Sequence, residues 1–101
     1  MSDQSVTLIN LLKARPGQQD ALIALLKQNI DSVIRTLRGW KATRLIAAAD
    51  GTGVAIYSEW ESPAAVEAMR NDARMKVYFP KIMELASLDS MTGQVVLDDT
   101  P

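Results

Sequence analysis

At 101 residues the chain has the length of one domain built around a single hydrophobic core. It is 48% hydrophobic and 23% charged with a net charge of −1, which excludes a disordered chain and offers no basic surface for nucleic acid or an anionic membrane. It has no histidine and no cysteine, so the usual carriers of near-neutral acid–base work, metal ligation and thiol chemistry are missing, and no disulfide framework exists.

In chain order, residues 1–5 (MSDQS) are polar and do not form a basic region followed by an apolar one, so no signal peptide is expected. With no apolar run long enough to span a membrane and no cysteine, a cytoplasmic location is the expectation. Residues 6–13 (VTLINLLK) are short, apolar and partly β-branched, and read as a strand that ends before Arg15-Pro16-Gly17. From 18 to 37, Leu22, Leu25, Leu26, Ile30, Val33 and Leu37 follow the one-face spacing of an amphipathic helix, with Asp20 in its first turn and Gly39 able to close it. Residues 41–48 and 54–60 (VAIYSEW) read as a hairpin around Asp50-Gly51-Thr52-Gly53. Ser62-Pro63 is a helix start for 63–70. A second helical stretch carries Met75, Tyr78, Phe79, Ile82 and Met83 on one stripe, where Pro80 is expected to kink the helix or begin a new turn. Residues 91–97 read as a closing strand and 98–101 as a frayed tail.

This order, strand–helix–strand–strand–helix–strand, predicts an α+β, ferredoxin-like βαββαβ domain over residues 1–101. Its core runs from about 6 to 97: a four-stranded antiparallel sheet with helices on one face. The strands do not alternate cleanly. Val6, Leu8 and Leu12 take one parity while Ile9 and Leu11 take the other, and Ala55 and Tyr57 oppose Val54, Ile56 and Trp60. Both sheet faces therefore need cover, and a homodimer packed sheet to sheet is the simplest one.

Counting by two places Asn10 with Val6, Leu8 and Leu12, and Ser58 with Val54, Ile56 and Trp60. If both rows look toward the helices, Asn10, Ser58 and Trp60 line a cavity closed by Met69, Met75, Tyr78, Phe79 and Met83. A carboxamide among aliphatics needs a hydrogen-bond partner, which a ligand can supply, and an indole offers a flat wall. Equally, Asn10 could bond a strand edge and Trp60 could be plain core. Arg74 is a candidate for holding an anionic or phenolate substrate, and Tyr78 is a candidate hydrogen-bonding or acid group. No phosphate-binding glycine loop, serine triad, acidic metal cluster or nicotinamide, flavin or zinc motif is present.

The run Gly39-Trp40, the turn Asp50-Gly51-Thr52, the segment Tyr57-Ser58-Glu59-Trp60-Glu61-Ser62 and the stretch Arg74-Met75-Lys76-Val77-Tyr78-Phe79 resemble the antibiotic biosynthesis monooxygenase domain family. The resemblance covers about residues 6–96. It implies a dimeric α+β barrel with one pocket per subunit, and, as in the characterised oxygenases, oxidation of polycyclic phenols or quinol-like substrates by O2 without metal or flavin. Trp60 matches the family tryptophan at the strand end, and Asn10 matches the first-strand asparagine of the haem-degrading relatives. Those relatives hold iron with a helix histidine that this chain lacks. In the polyketide oxygenases an asparagine stands where this chain has Ile56, and a helix tyrosine where it has Val66.

The resulting expectation is a cofactor-free monooxygenase acting on an aromatic, phenolic or quinone-like small molecule. Asn10, Trp60 and Tyr78 would be catalytic, and Ser58, Met69, Arg74, Met75, Phe79 and Met83 would bind the substrate. An isomerase or cyclase on the same scaffold, or a non-catalytic dimeric small-molecule-binding module, are the alternatives.

Overall fold

Strand β1, Val6–Ala14, is apolar on both faces and lies in the middle of the sheet, where both of its edges are hydrogen-bonded. It pairs antiparallel with β3 (Gly53–Trp60) on one side and β4 (Ala86–Gly93) on the other, while β2 (Trp40–Ala47) pairs antiparallel with β3. The strand order β2-β3-β1-β4 is that of a ferredoxin-like α+β fold, as the sequence predicts. Helices α1 (Gln19–Ser32), α2 (Pro63–Arg70) and α3 (Ala73–Leu85) cover one face. This computed structural model describes residues 4–101, so part of the polar opening read at 1–5 lies outside the described residues.

Local chemistry sets the element ends. The Ser62 hydroxyl accepts from the Ala65 amide at 3.2 Å and Pro63 fills the first turn, which starts α2 where the sequence places it. Asp72 does the same for α3, accepting from the Arg74 amide at 2.8 Å. In the hairpin, a Cβ on Gly53 would lie 2.4 Å from the Leu12 carbonyl oxygen, so only glycine lets β3 approach β1 there.

Four expectations are corrected. The helix expected over 18–37 stops at Ser32; Val33 leaves the helical region at φ −124°, and a 3₁₀ turn at Ile34–Thr36 follows, closed by the Thr36 hydroxyl donating to the Val33 carbonyl at 2.6 Å. Gly39 is left-handed at φ +88°, but it turns the chain into β2 rather than capping α1. Pro80 begins no new turn but lies inside a continuous α3; the Lys76 carbonyl that loses its donor is on an exposed residue, where water can serve it. The closing strand is Ala86–Gly93, not 91–97. Its register reaches Thr7↔Gly93, where β1 is nearly exhausted, so Val95, Val96 and Leu97 find no partner strand and are 59%, 97% and 79% exposed.

Two core clusters lie between sheet and helices. One joins Val6, Leu8, Trp60, Val66, Met69 and Met75, and the other joins Leu12, Leu22, Leu26, Val54 and Ile82. The opposite sheet face carries Ile9, Leu11, Tyr57, Ala55, Ile46 and Met91, and no element among the described residues covers it. Leu11, Ile46 and Met91 are all more than half exposed there.

Candidate functional site

Between the helices and the inner sheet face lies a cavity of about 60 Å³. The inward rows of β1 and β3 supply Leu8, Asn10, Ile56, Ser58 and Trp60, as period-two counting predicts, and α2 and α3 close it with Met69, Met75, Phe79 and Ile82. Of the nine expected site residues, six meet here: Asn10, Ser58, Trp60, Met69, Met75 and Phe79.

Three do not. Arg74 is exposed and clamps Asp72 through Nε at 3.1 Å and Nη2 at 3.2 Å, so its charge serves the start of α3. Met83 is 41% exposed on the far shoulder of α3. Tyr78 packs between the two core clusters, with the Lys81 ammonium 5.8 Å from its ring centre, and is not part of the cavity wall.

Trp60 is 1% exposed, and its one polar atom is already used. The indole Nε1 donates to the Ser58 hydroxyl at 3.0 Å, and that hydroxyl donates to the Leu8 carbonyl at 3.3 Å. The two side chains sit two apart on one strand face, which is what lets them meet. Trp60 thus presents an apolar, immobilised wall to the cavity. Asn10 differs. It is half-buried, and its carboxamide has no hydrogen-bond partner among the described residues. No side-chain polar atom among them is both sealed from solvent and unpartnered, so the Asn10 amide opens onto the cavity.

Two polar wall residues were missed from sequence. Asn29, 4% exposed on α1, donates from Nδ2 to the Met75 Sδ at 3.2 Å. Its position continues the 22, 26 stripe of α1, a spacing that could have found it. Thr43 faces Ser58 across the β2–β3 ladder and accepts from the Trp40 Nε1 at 2.8 Å; finding it requires the strand register. Trp40 itself packs half-buried against the first core cluster.

The cavity wall carries amides, hydroxyls and apolar groups, and among the described residues no ionisable side chain lies on it. The groups whose proton affinity is shifted lie elsewhere. Hydrogen bonding to the Glu59 carboxylate, at 2.7 Å, holds the Tyr57 phenol above its ordinary pKa on the outer sheet face, with Thr7 opposing. Hydrogen bonds from Arg74 hold Asp72 below the usual carboxylate value. Among the described residues, no three histidine, cysteine or acidic side chains converge to hold a metal ion, and no helix is long and apolar enough to cross a membrane. The wall offers a flat apolar surface and hydrogen bonds to a guest's oxygens, but among the described residues it carries no base to take a proton.

A family model described as antibiotic biosynthesis monooxygenase matches residues 5–81. Among solved structures, Rv0793 from Mycobacterium tuberculosis is 24% identical, with a TM-score of 0.80 over 96% of this chain and 99% of its own. SnoaB, a cofactor-independent oxygenase from Streptomyces nogalater, is 11% identical, with a TM-score of 0.86 over 94% of this chain and 96% of its own. SO0527 from Shewanella oneidensis is 22% identical, with a TM-score of 0.80 over 90% of each chain. At such identities the likeness to these structures concerns the fold. No curated protein matches the chain.

Proposed function

The chain belongs to the antibiotic biosynthesis monooxygenase family, and we propose that it is a cofactor-independent monooxygenase acting on an aromatic, phenolic or quinone-like small molecule. Family membership and the shared fold of SnoaB support a monooxygenase-type function. The observation that carries the substrate class is the cavity wall: an immobilised indole beside the unpartnered Asn10 amide, with no charge among its described residues. Such a wall accepts a neutral ring bearing oxygen and rejects carboxylates and phosphates, whose charge would be buried without a partner.

The chemistry then belongs to the substrate. An electron-rich ring donates to O2. When a ring methylene becomes a carbonyl, four electrons pass to O2, one oxygen atom stays in the product and the other leaves as water. Asn10 and Thr43 hydrogen-bond the substrate oxygen as negative charge grows on it, Trp60 and Phe79 hold the ring, and the proton passes to water. The protomer works as a homodimer, with the apolar outer sheet faces of two copies covering each other.

Oxygen uptake with a panel of anthrone-like and hydroquinone compounds tests this. The wild type should consume O2, and Asn10→Ala should lose about 100-fold in kcat as one oxyanion donor disappears. Turnover that persists without oxygen would replace the reading with an isomerase or cyclase. A second reading, a non-catalytic binding module, is favoured by the lack of any ionisable wall residue, and binding without product formation would establish it.

A further inference from the structure

Asn29 sits on the buried stripe of α1, in line with Leu22 and Leu26, which are at most 1% exposed. A carboxamide in such a place ordinarily has strong partners at both ends. Here the donor end meets only a thioether, the Met75 Sδ at 3.2 Å, one of the weakest acceptors a protein contains. The acceptor end has no donor among the described residues and opens onto the cavity. Met75 lines the same cavity and is itself 4% exposed. One side chain thus has two effects: its bulk occupies space a guest would need, and its sulfur occupies the donor a guest's oxygen would take.

We propose that Met75 is a displaceable plug and that Asn29 is the specificity-determining donor it masks, the ligand's oxygen replacing the sulfur as the thioether swings aside. The inference rests on the cavity being the substrate site. At about 60 Å³ the cavity is well below the ~150 Å³ void known to take benzene, so no ring enters unless a wall side chain moves. Methionine, unbranched with three rotatable bonds, moves most readily. Moving it strips Asn29 of its only acceptor among the described residues, and the loss is made good only by a guest that brings an acceptor oxygen. A hydrocarbon of equal size gains the space but leaves the donor bare. The site therefore selects rings carrying a hydroxyl or carbonyl oxygen, and opening the cavity is coupled to reading that oxygen.

The test is a titration of the full chain, carrying ¹³C-labelled methionine methyl groups, with phenol and with toluene, which differ by a hydroxyl against a methyl. The wild type should bind phenol about 10-fold or more tightly than toluene, with the Met75 methyl resonance shifting as either ring enters. Asn29→Leu should retain toluene and cut the phenol advantage to within about 3-fold. Met75→Ala should tighten both rings and keep phenol ahead. A phenol advantage unchanged in Asn29→Leu, a Met75 resonance unmoved at saturation, or weaker binding in Met75→Ala would each overturn the proposal. The methyl signal and Met75→Ala need no change at Asn29, so a poorly folded Asn29→Leu does not shelter it. Failure of both rings to bind the wild type is a different result: it overturns the cavity as substrate site, and this inference with it.

Discussion

The Trp60–Ser58–Leu8 relay is a hydrogen-bonded unit sealed inside an apolar wall, and Ser58→Ala cuts it at the middle. Ser58 is 4% exposed and Trp60 1% exposed, so water cannot replace the lost hydroxyl. The indole N–H that donated at 3.0 Å is left without an acceptor, which costs about 1–3 kcal/mol. The Leu8 carbonyl loses less, because its bond from Ser58 is long, at 3.3 Å, and it lies within the sheet ladder. Near 2 kcal/mol, the loss lowers the melting temperature of a domain this size by about 10 °C. Trp60→Phe removes the N–H altogether, so in that background Ser58→Ala should cost about 1 kcal/mol less. The double-mutant cycle isolates this difference from the packing lost with the indole. Urea unfolding followed by far-UV circular dichroism, at one fixed protein concentration so that any dimerisation cancels, measures all four corners. A Ser58→Ala cost below about 0.5 kcal/mol, or one that is equal in both backgrounds, would refute the assignment of Trp60 as a wall with its polar atom satisfied.

Gly39→Ala should cost about 2–5 kcal/mol in the same assay, since the new Cβ combines a left-handed backbone with a 2.6 Å approach to the Ala65 Cβ. Gly51→Ala, equally left-handed but with nothing nearer than 3.9 Å, should cost only the backbone part. Asp72→Ala should lower the melting temperature at neutral pH. The Asp72 carboxyl is depressed by Arg74, so its contribution is whole above the ordinary value of about 3.9 and is lost as pH falls toward its folded value; the gap between variant and wild type should close on acidification. Leu11→Arg, on the bare sheet face, should halve the mass seen by light scattering while leaving circular dichroism intact, and an unchanged mass would remove that face as the dimer contact. Because the cavity wall does not titrate, the pH midpoint of turnover should follow the substrate's own hydroxyl; two substrates of different acidity sharing one midpoint would contradict this.

The strands' inward rows were legible because period-two parity survives small errors in strand ends: Asn10, Ser58 and Trp60 share a cavity as counted. The bounds of α2 were legible because Ser62 and Pro63 are chemically specific signals. The closing strand was not. Val95-Val96-Leu97 is the stronger β-forming run, but pairing depends on where β1 ends, and β4 is an edge strand whose Ser87, Asp89 and Ser90 suit solvent. On α3, Tyr78 and Met83 lie about 140° apart around the helix axis, so a stripe drawn through both is wider than the cavity; only its middle, Met75, Phe79 and Ile82, reaches the wall. Asn29 escaped notice because the apolar pattern of α1 was traced through leucine, isoleucine and valine alone, although the asparagine holds a buried position on that stripe.

A chain with no histidine and no cysteine has given up the side chains that most often move protons near neutrality, and the structure shows where that matters. Its described charged residues and both tyrosines stay off the cavity wall, which is left with carboxamides and hydroxyls that donate or accept without changing charge. Such groups stabilise charge that appears on a guest, but they do not generate it. On the proposed function, the reaction begins from a substrate that already holds the electrons and readily releases the proton, and the protein's contribution would be orientation against Trp60, exclusion of bulk water and donors aimed at one oxygen. On the proposed function the same wall would account for the reaction class and its selectivity together: a guest that brings no acceptor oxygen would be held poorly, and it is also one on which no negative charge could be stabilised.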